Sequence, residues 1–204
     1  MRVMVAANSN KKCLEYAEQH PDGFGMIYSP SYWNNPPVKP NIKYVLDNGC
    51  FGQFNENLFF EVLSETLKMD NKPMWIVAPD VVGCHTRTLA LWFHYYKTLK
   101  LYGYPIAFVA QDGCKPSLVP THADIIFIGG LDPWKMDNAH KFIGDRPVHV
   151  GRRNKYWMLE YCQEIGAASC DGSGWFRGGT KSRQACELDR WFNGDPQYKL
   201  FGEV

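Results

Sequence analysis

The sequence predicts a single-domain α/β protein folded as a compact (β/α)8 barrel of the TIM type over residues 1–204. Eight short apolar runs alternate with amphipathic stretches along almost the whole chain. Most of these runs are followed by Asp, Gln or Gly, as at the carboxyl ends of barrel strands. An open, doubly wound sheet is the alternative architecture. No internal repeat or linker divides the chain.

Each strand is predicted where a short apolar run is bounded by turn residues. The predicted strands are 3–7, 24–28, 44–47, 75–78, 106–110, 125–128, 148–150 and 167–170. Helices are predicted where apolar residues recur at helical spacing, as from Leu58 to Leu67. The predicted helices are 11–20, 56–69, 86–101, 134–142, 154–165 and 181–192, with Thr86 as the N-cap of the third. The segment 29–41 is rich in Pro and Asn, which predicts an exposed loop.

The composition is that of an ordinary globular protein, with 45% hydrophobic and 21% charged residues. The formal net charge is +1, so no overall basic field indicates nucleic acid. Seven cysteines occur without a CxxC pair, which favours reduced thiols over a disulfide framework or a structural zinc site. No apolar run approaches the roughly 18 residues of a membrane span. We therefore expect no membrane association and a cytoplasmic location, in the host cytoplasm if the chain is viral.

Polar or glycine residues stand at the ends of six predicted strands. They are Asp47, Asp80, Gln111, Gly129-Gly130, Gly151-Arg152 and Asp171. In a barrel these positions meet at one mouth, which predicts a pocket with three carboxylates and an amide. The same aspartates leave a Mg²⁺-dependent hydrolase open, although no two acidic residues stand at close ligand spacing. No Walker A loop is present and no GxGxxG follows a strand, which argues against nucleotide-binding folds.

Five short motifs carry a resemblance to a known family. They are DNGCFGQ (47–53), APD (78–80), VAQDG (109–113), IGGL (128–131), and Val150-Gly151 followed by Cys170-Asp171. In this order they resemble the motifs of tRNA-guanine transglycosylases, including the short relatives of phages and bacteria that place deazaguanines in DNA. The resemblance covers residues 44–177. It implies a base-exchange enzyme that replaces guanine in a polynucleotide with a 7-deazaguanine such as preQ0.

The resemblance implies a role for each strand-end residue. Asp171 is the expected nucleophile, forming a covalent glycosyl-enzyme, and Asp47 is the expected general acid/base. The expected base-binding residues are Asp80, Gln111, Gly129, Gly130, Gly151 and Phe51, with Trp175 as a second candidate for stacking. The residues expected to contact the nucleic-acid backbone are Arg152, Arg153 and Arg177. Lys155, Lys181 and Arg183 belong to the same basic set, in which the two lysines fit a solvated helix face equally well.

The resemblance also sets expectations for cofactors and partners. Only Cys186 follows Asp171, so the zinc subdomain of the tRNA enzymes cannot form, and no metal or other cofactor is expected. The short chain favours DNA over tRNA, so the expected partners are DNA, or tRNA as the alternative, and a free 7-deazaguanine base. A homodimer or an accessory protein is left open. A second hypothesis, from another class, is a non-catalytic barrel that binds deazapurine or nucleic acid.

Overall fold

Eight parallel strands close into a barrel in the computed structural model, which describes residues 1–6, 11–33, 42–177 and 179–194. The strands are β1 (Arg2–Ala6), β2 (Phe24–Tyr28), β3 (Tyr44–Leu46), β4 (Ile76–Val77), β5 (Ile106–Ala110), β6 (Ile125–Ile128), β7 (Val148–Val150) and β8 (Ser169–Gly172). Each strand pairs with the next along the chain, and β8 pairs with β1. The predicted (β/α)8 barrel is confirmed. The open sheet is wrong because β1 closes against β8.

Helices follow most of the strands. The α-helices are α1 (Lys11–Gln19), α2 (Glu56–Thr66), α3 (His85–Lys100), α4 (Asp132–Asn138), α5 (Tyr156–Glu164) and α6 (Arg183–Asn193). Short 3₁₀ helices occupy Pro30–Tyr32, Pro116–Leu118 and Ala139–Phe142. The first of these lies in the segment predicted as a loop, of which residues 34–41 lie outside the described residues. Among the described helices, none is long and apolar enough to cross a membrane.

Two helix starts differ from the prediction for local reasons. Helix α3 begins at His85, so Thr86 lies inside it and Cys84 takes the N-cap position without a side-chain cap bond. The Thr88 hydroxyl instead ties this start to the preceding loop, because it accepts from the Val81 amide over 3.0 Å. The helix predicted for 134–142 begins at Asp132, since a proline in the first turn has a backbone angle that suits a helix. Its last turn is the separate 3₁₀ helix Ala139–Phe142.

The end of β8 also differs from the prediction. The predicted strand 167–170 placed Asp171 in the following turn, but Asp171 lies within β8 and stands opposite Met4 of β1. Pairing with β1 continues as far as Gly172. Because side chains alternate along a strand, Ser169 and Asp171 share one face of the sheet.

The apolar core has two layers. The larger layer lies between the strands and the helices, and includes Phe108, Trp92 and Leu159. The smaller layer fills the barrel interior with Met4, Val45, Trp75, Val77, Ala107, Val109 and Ile125. A filled interior leaves no channel through the barrel, so a substrate has access only at the ends of the strands. In barrel enzymes the site lies on the loops at the carboxyl end of the strands.

Candidate active site

Three carboxylates meet at the carboxyl end of the barrel. Asp47 directly follows β3, Asp80 lies shortly after β4, and Asp171 is part of β8. The negative charges of Asp80 and Asp171 both act on Asp47, so the three groups share one electrostatic environment. The structure thus brings together acids that stand far apart in the sequence.

Asp47 is a partly buried carboxyl whose pKa lies near neutrality. Burial raises the pKa to about 7, and a hydrogen bond from the Gly49 amide, 3.2 Å from Oδ2, opposes the rise. The charges of Asp80 and Asp171 raise the pKa further. Among the described residues, no side chain donates a hydrogen bond to this carboxylate. Its hydrogen bonds from the described residues therefore come from backbone amides.

The second carboxylate, Asp80, is enclosed by hydrogen bonds within the protein. Asn48 Nδ2 donates to Asp80 Oδ1 over 2.7 Å, and Gln111 Nε2 donates to Asp80 Oδ2. The Gln111 side-chain oxygen accepts from the amides of Gly83 and Gly130, each over 2.8 Å. Burial raises the pKa of Asp80, and the two side-chain donors oppose the rise. The groups expected to bind a guanine-like base are thus already paired with one another.

The third carboxylate, Asp171, is joined to a buried histidine. His149 Nε2 lies 3.0 Å from Asp171 Oδ1, and His149 Nδ1 lies 2.8 Å from the Ser169 hydroxyl. The imidazole ring packs against Trp75 and Phe127, with ring centres 5.1 and 4.6 Å away. A hydrogen-bonded chain of three side chains therefore runs from the mouth into the apolar interior.

Arg152 connects the loop after β7 to the mouth. Its φ of 60° is the one positive value at a non-glycine residue in the described residues, an uncommon conformation. The Arg152 amide donates to Asp171 Oδ1 over 3.2 Å, and its Nη2 donates to the Gly130 carbonyl. The guanidinium lies 4.7 Å from the ring centre of the exposed Phe51. Phe51, expected to stack on a base, instead contacts this cation.

Arg153, expected to contact a nucleic-acid backbone, is fully buried. Its guanidinium donates to Asp132, and its Nε donates to the Gly151 carbonyl over 3.1 Å. Lys135 is fully buried as well, and its Nζ donates to the same carbonyl over 2.8 Å. Burial, with the added charges of Arg153 and Arg152, lowers the pKa of Lys135 to about 8. The expectation for Arg153 was wrong because these acceptors hold the side chain beneath the surface.

Two of the glycines expected to bind a base are packed against side chains. A Cβ at Gly129 would lie 2.5 Å from Gln111 Nε2, and a Cβ at Gly151 would lie 2.6 Å from the Phe127 ring. Glycine at these positions lets neighbouring strands and side chains approach closely. Trp175 is fully buried, so its ring has no surface to offer a base. The stacking role considered for it was wrong.

The other basic residues of the predicted set lie at the surface. Arg177, Lys155 and Lys181 are exposed, and Arg183 forms an ion pair with Glu187 over 2.9 Å on α6. Within the described part of the chain, none of them bonds to the three mouth carboxylates. Their positions fit a solvated surface.

Sequence patterns did not point to His149, Ser169 or Asn48. The first of these had a usable signal, because alternation in the segment Val148-His149-Val150 puts the histidine on the face opposite the two valines. Both valines belong to the outer core layer, so the histidine points into the barrel. Asn48 carried no comparable signal, since an Asn-Gly pair normally indicates only a turn.

The three carboxylates coincide neither with a metal site nor with the groove at the start of α2. Across the described residues, no group of three His, Cys, Asp or Glu side chains could hold a metal ion. The described residues therefore do not support the hypothesis of a metal-dependent hydrolase. A groove of about 470 Å³, lined by Ser31 and residues 53–58, contains none of the three acids.

The chain matches no protein-family model and no curated protein, but its fold is similar to that of several solved barrels. One is 3-hexulose-6-phosphate synthase from Salmonella typhimurium, at 12% identity and TM-score 0.58, covering 97% of this chain and 100% of that one. Another is a mutant tryptophan synthase alpha-subunit from Pyrococcus furiosus, at 11% and 0.57, covering 98% and 97%. A third is a putative fructose-1,6-biphosphate aldolase from Coccidioides immitis, at 10% and 0.60, covering 95% and 84%. At these identities the similarity shows the fold alone.

The resemblance to tRNA-guanine transglycosylases is wrong, and so is the guanine exchange that it implied. The three similar structures named above are a synthase, a synthase subunit and a putative aldolase rather than transglycosylases. The motifs have another explanation in the structure. The Gln111 side chain bonds to Asp80 and to the Gly130 amide, so VAQDG, APD and IGGL hold three loops together. Short motifs of Asp, Gln and Gly at strand ends are features of barrel geometry and do not identify one chemistry.

Proposed function

We propose that this barrel is an enzyme that transfers a proton to and from a small anionic organic substrate, in a lyase or isomerase reaction beside a carbonyl group. The observation that carries the proposal is the partly buried Asp47 carboxyl, which has no side-chain donor among the described residues and lies near two other carboxylates. Its pKa of about 7 suits a group that must both accept and donate a proton near neutral pH.

Asp47 is the group assigned to the chemistry. As a carboxylate it removes a proton from the substrate carbon, so that a C–H bond breaks, an O–H bond forms, and the electron pair passes into an enolate. As a carboxylic acid it returns the proton to the product carbon. The step requires no oxidant, reductant or other reactant. Burial and the negative charges of Asp80 and Asp171 raise the pKa of Asp47 to about 7, so the protonated and ionised forms are both populated near neutral pH.

Arg152 is the group assigned to the anionic part of the substrate. A guanidinium carries five N–H donors in a planar fork that matches phosphate and carboxylate oxygens. One Arg152 bond to the Gly130 carbonyl and the contact with Phe51 orient the group beside the carboxylates. A phosphate is the favoured anion, because barrels often bind phosphate at the loops after strands 7 and 8. Two proteins with this fold, 3-hexulose-6-phosphate synthase and a putative fructose-1,6-biphosphate aldolase, are named for sugar phosphates, which supports this choice.

Asp80 and Gln111 have a supporting part in this proposal. Their mutual hydrogen bond, with those from Gln111 to the Gly83 and Gly130 amides, fixes the loops after β4, β5 and β6. A rigid frame of this kind holds the reacting groups at constant distances. Asp171 supplies the negative charge that helps to raise the pKa of Asp47.

Proton exchange with solvent tests the proposal before the full reaction is known. Dihydroxyacetone phosphate, ribulose 5-phosphate and fructose 6-phosphate are incubated with the protein in D₂O, and deuterium on the carbon beside the carbonyl is followed by NMR. We expect exchange with at least one compound. We expect Asp47→Asn to slow it by about 100-fold or more, the usual contribution of a general acid/base. Asp70→Asn, an exposed acid in the loop between α2 and β4, is the matched control and should leave the rate unchanged.

Arg152→Gln supplies the second arm of the test. This variant should raise the apparent dissociation constant for the active compound, and for inorganic phosphate as a competitor, by about tenfold or more. Lys100→Gln, at the far end of α3, should not. The proposed function would be refuted if the wild type exchanged no deuterium into any of the three compounds. It would also be refuted if Asp47→Asn exchanged deuterium at the wild-type rate.

A further inference from the structure

The barrel interior contains a polar chain of which the proposed reaction uses only Asp171. It consists of Ser169, His149 and Asp171, and all three side chains are buried. The surrounding interior is apolar, with the rings of Trp75 and Phe127 against the imidazole. Burying polar groups in such surroundings is costly unless every donor and acceptor finds a partner. The hydrogen bonds of this chain therefore have a definite direction.

Three directions fit the positions of the heavy atoms. In the first, the Ser169 hydroxyl donates to Nδ1, and Nε2–H donates to an ionised Asp171. In the second, a protonated Asp171 donates to Nε2, and Nδ1–H donates to the Ser169 oxygen. In the third, a doubly protonated ring donates from Nδ1–H to the Ser169 oxygen and from Nε2–H to an ionised Asp171. All three use the same two contacts, 2.8 Å at Nδ1 and 3.0 Å at Nε2.

The first direction leaves fewer groups unpaired. In the second and third, the Ser169 hydroxyl proton would need an acceptor of its own, and no described residue other than His149 bonds to Ser169 Oγ. The Arg152 amide donates to the same Asp171 oxygen over 3.2 Å, so Oδ1 already serves as an acceptor.

The geometry points to His149 and Ser169 as positioning residues for Asp171. Ser169 holds the ring in the Nε2–H tautomer, and Nε2–H holds Asp171 as an acceptor through Oδ1. Both bonds from described residues to this carboxylate, from His149 and from Arg152, end on Oδ1. Oδ2 is thereby left as the atom that acts on Asp47 and on a ligand. The inference depends on the proposed function only for the part that Asp171 plays in the reaction.

The tautomer is a property of the folded protein without substrate, and NMR measures it directly. Long-range ¹H–¹⁵N spectra of ¹⁵N-labelled protein at pH 7 resolve the ring nitrogens of the six histidines, and the signals missing in His149→Gln belong to His149. We expect one tautomer, Nε2–H, in the wild type. Ser169→Ala should shift the Nδ1 signal and weaken the preference for Nε2–H, because the hydroxyl donor to Nδ1 is gone. Asp171→Ala, which removes the acceptor for Nε2–H, should weaken the preference as well. An Nδ1–H ring or a doubly protonated ring in the wild type would overturn the inference.

A conservative pair of variants tests the positioning role in the reaction. The amide nitrogen of Gln can reach the place of Nε2, whereas the shorter Asn reaches only the place of Nδ1. His149→Gln should therefore keep most of the exchange rate, while His149→Asn should lower kcat by about 10- to 100-fold with little change in KM. Equal rates in two folded variants would count against positioning. Absence of exchange in the wild type, with Nε2–H observed, would refute the proposed function and leave the tautomer assignment standing.

Discussion

Asp47 differs from its two neighbouring acids in its hydrogen-bond partners. Asp80 accepts from Asn48 and Gln111, and Asp171 is held by His149. Among the described residues, Asp47 accepts only from backbone amides of its own loop. Donors to a carboxylate favour its charged form, so their scarcity lets burial dominate the pKa of Asp47. The mouth thus contains two carboxylates with fixed partners and one free to exchange a proton.

A stability change with pH follows from the raised pKa of Asp47. The folded value of about 7 exceeds the ordinary 3.8, so between these values the folded protein binds more protons than the unfolded chain. Stability therefore falls as pH rises from about 4 to 7, and the loss persists above pH 7. Asp47→Asn removes this loss and should be more stable than the wild type by about 2–4 kcal/mol at pH 8. Urea unfolding of the wild type and Asp47→Asn at pH 4, 6 and 8 measures this difference in stability. A difference that does not change with pH would contradict the prediction.

Gln111 is expected to contribute to stability through three hydrogen bonds. Gln111→Ala leaves the amides of Gly83 and Gly130 without their acceptor and Asp80 without one donor. The expected loss is about 2–4 kcal/mol, the cost of leaving buried polar groups unpaired. Urea unfolding compares it with Gln163→Ala on the exposed face of α5, which should change little. Similar stabilities for the two variants would show that the hydrogen bonds of Gln111 contribute little to the free energy of unfolding.

At the scale of elements, the loop after β7 is held in place from below. Lys135 and Arg153 both donate to the Gly151 carbonyl, and the Phe127 ring of β6 lies where a Gly151 side chain would be. These contacts place Arg152 where its amide can reach Asp171 and its guanidinium can reach Gly130. The position of Arg152 is thus a consequence of packing beneath the loop.

A methyl group at position 151 tests this packing. In Gly151→Ala the new Cβ would meet the Phe127 ring at 2.6 Å and the Ile128 carbonyl at 3.3 Å, so β7 and β6 must move apart. The expected destabilisation is about 1–3 kcal/mol. Gly144→Ala is the matched control, because its Cβ would meet nothing within 4 Å, and it should stay within about 0.5 kcal/mol of the wild type. Thermal unfolding measures the stability of both variants. Equal losses of stability in Gly151→Ala and Gly144→Ala would show that close packing against Gly151 is not required.

At the scale of the whole molecule, closure of the barrel brings the three acids together. Strand β1 pairs with both β2 and β8, and the β1–β8 register sets Met4 opposite Asp171. Without this pairing, the end of β8 would have no fixed position relative to β3 and β4. The candidate site therefore depends on the fold being complete.

A proline in β1 tests this dependence. The Val3 amide donates to the Gly23 carbonyl over 2.8 Å, and Val3→Pro removes that donor and restrains the strand. We expect a loss of about 3 kcal/mol or more in excess of Val3→Ala, which removes side-chain volume but keeps the amide. The two variants are compared by urea unfolding and circular dichroism. Equal stabilities would mean that closure at β1 contributes little.

The sequence by itself determined the number, order and approximate bounds of the strands, because each short apolar run must be buried in the core. It also indicated that Asp47 and Asp80 follow strands and that Asp171 lies near the end of one, although Asp171 proved to be part of β8. The transglycosylase chemistry was wrong because residue types at strand ends do not reveal which side chains already bond to one another.

Only the tertiary structure decided those partners. The pairing of Gln111 with Asp80, the burial of Arg153 against Asp132, and the link from His149 to Asp171 all join residues about 20 to 30 positions apart. Strand register and loop path set these contacts, and a shift of one residue would turn each side chain to the other face of the sheet. A hydrogen bond needs its two atoms within about 3 Å. That precision comes from the closed barrel and not from the local sequence.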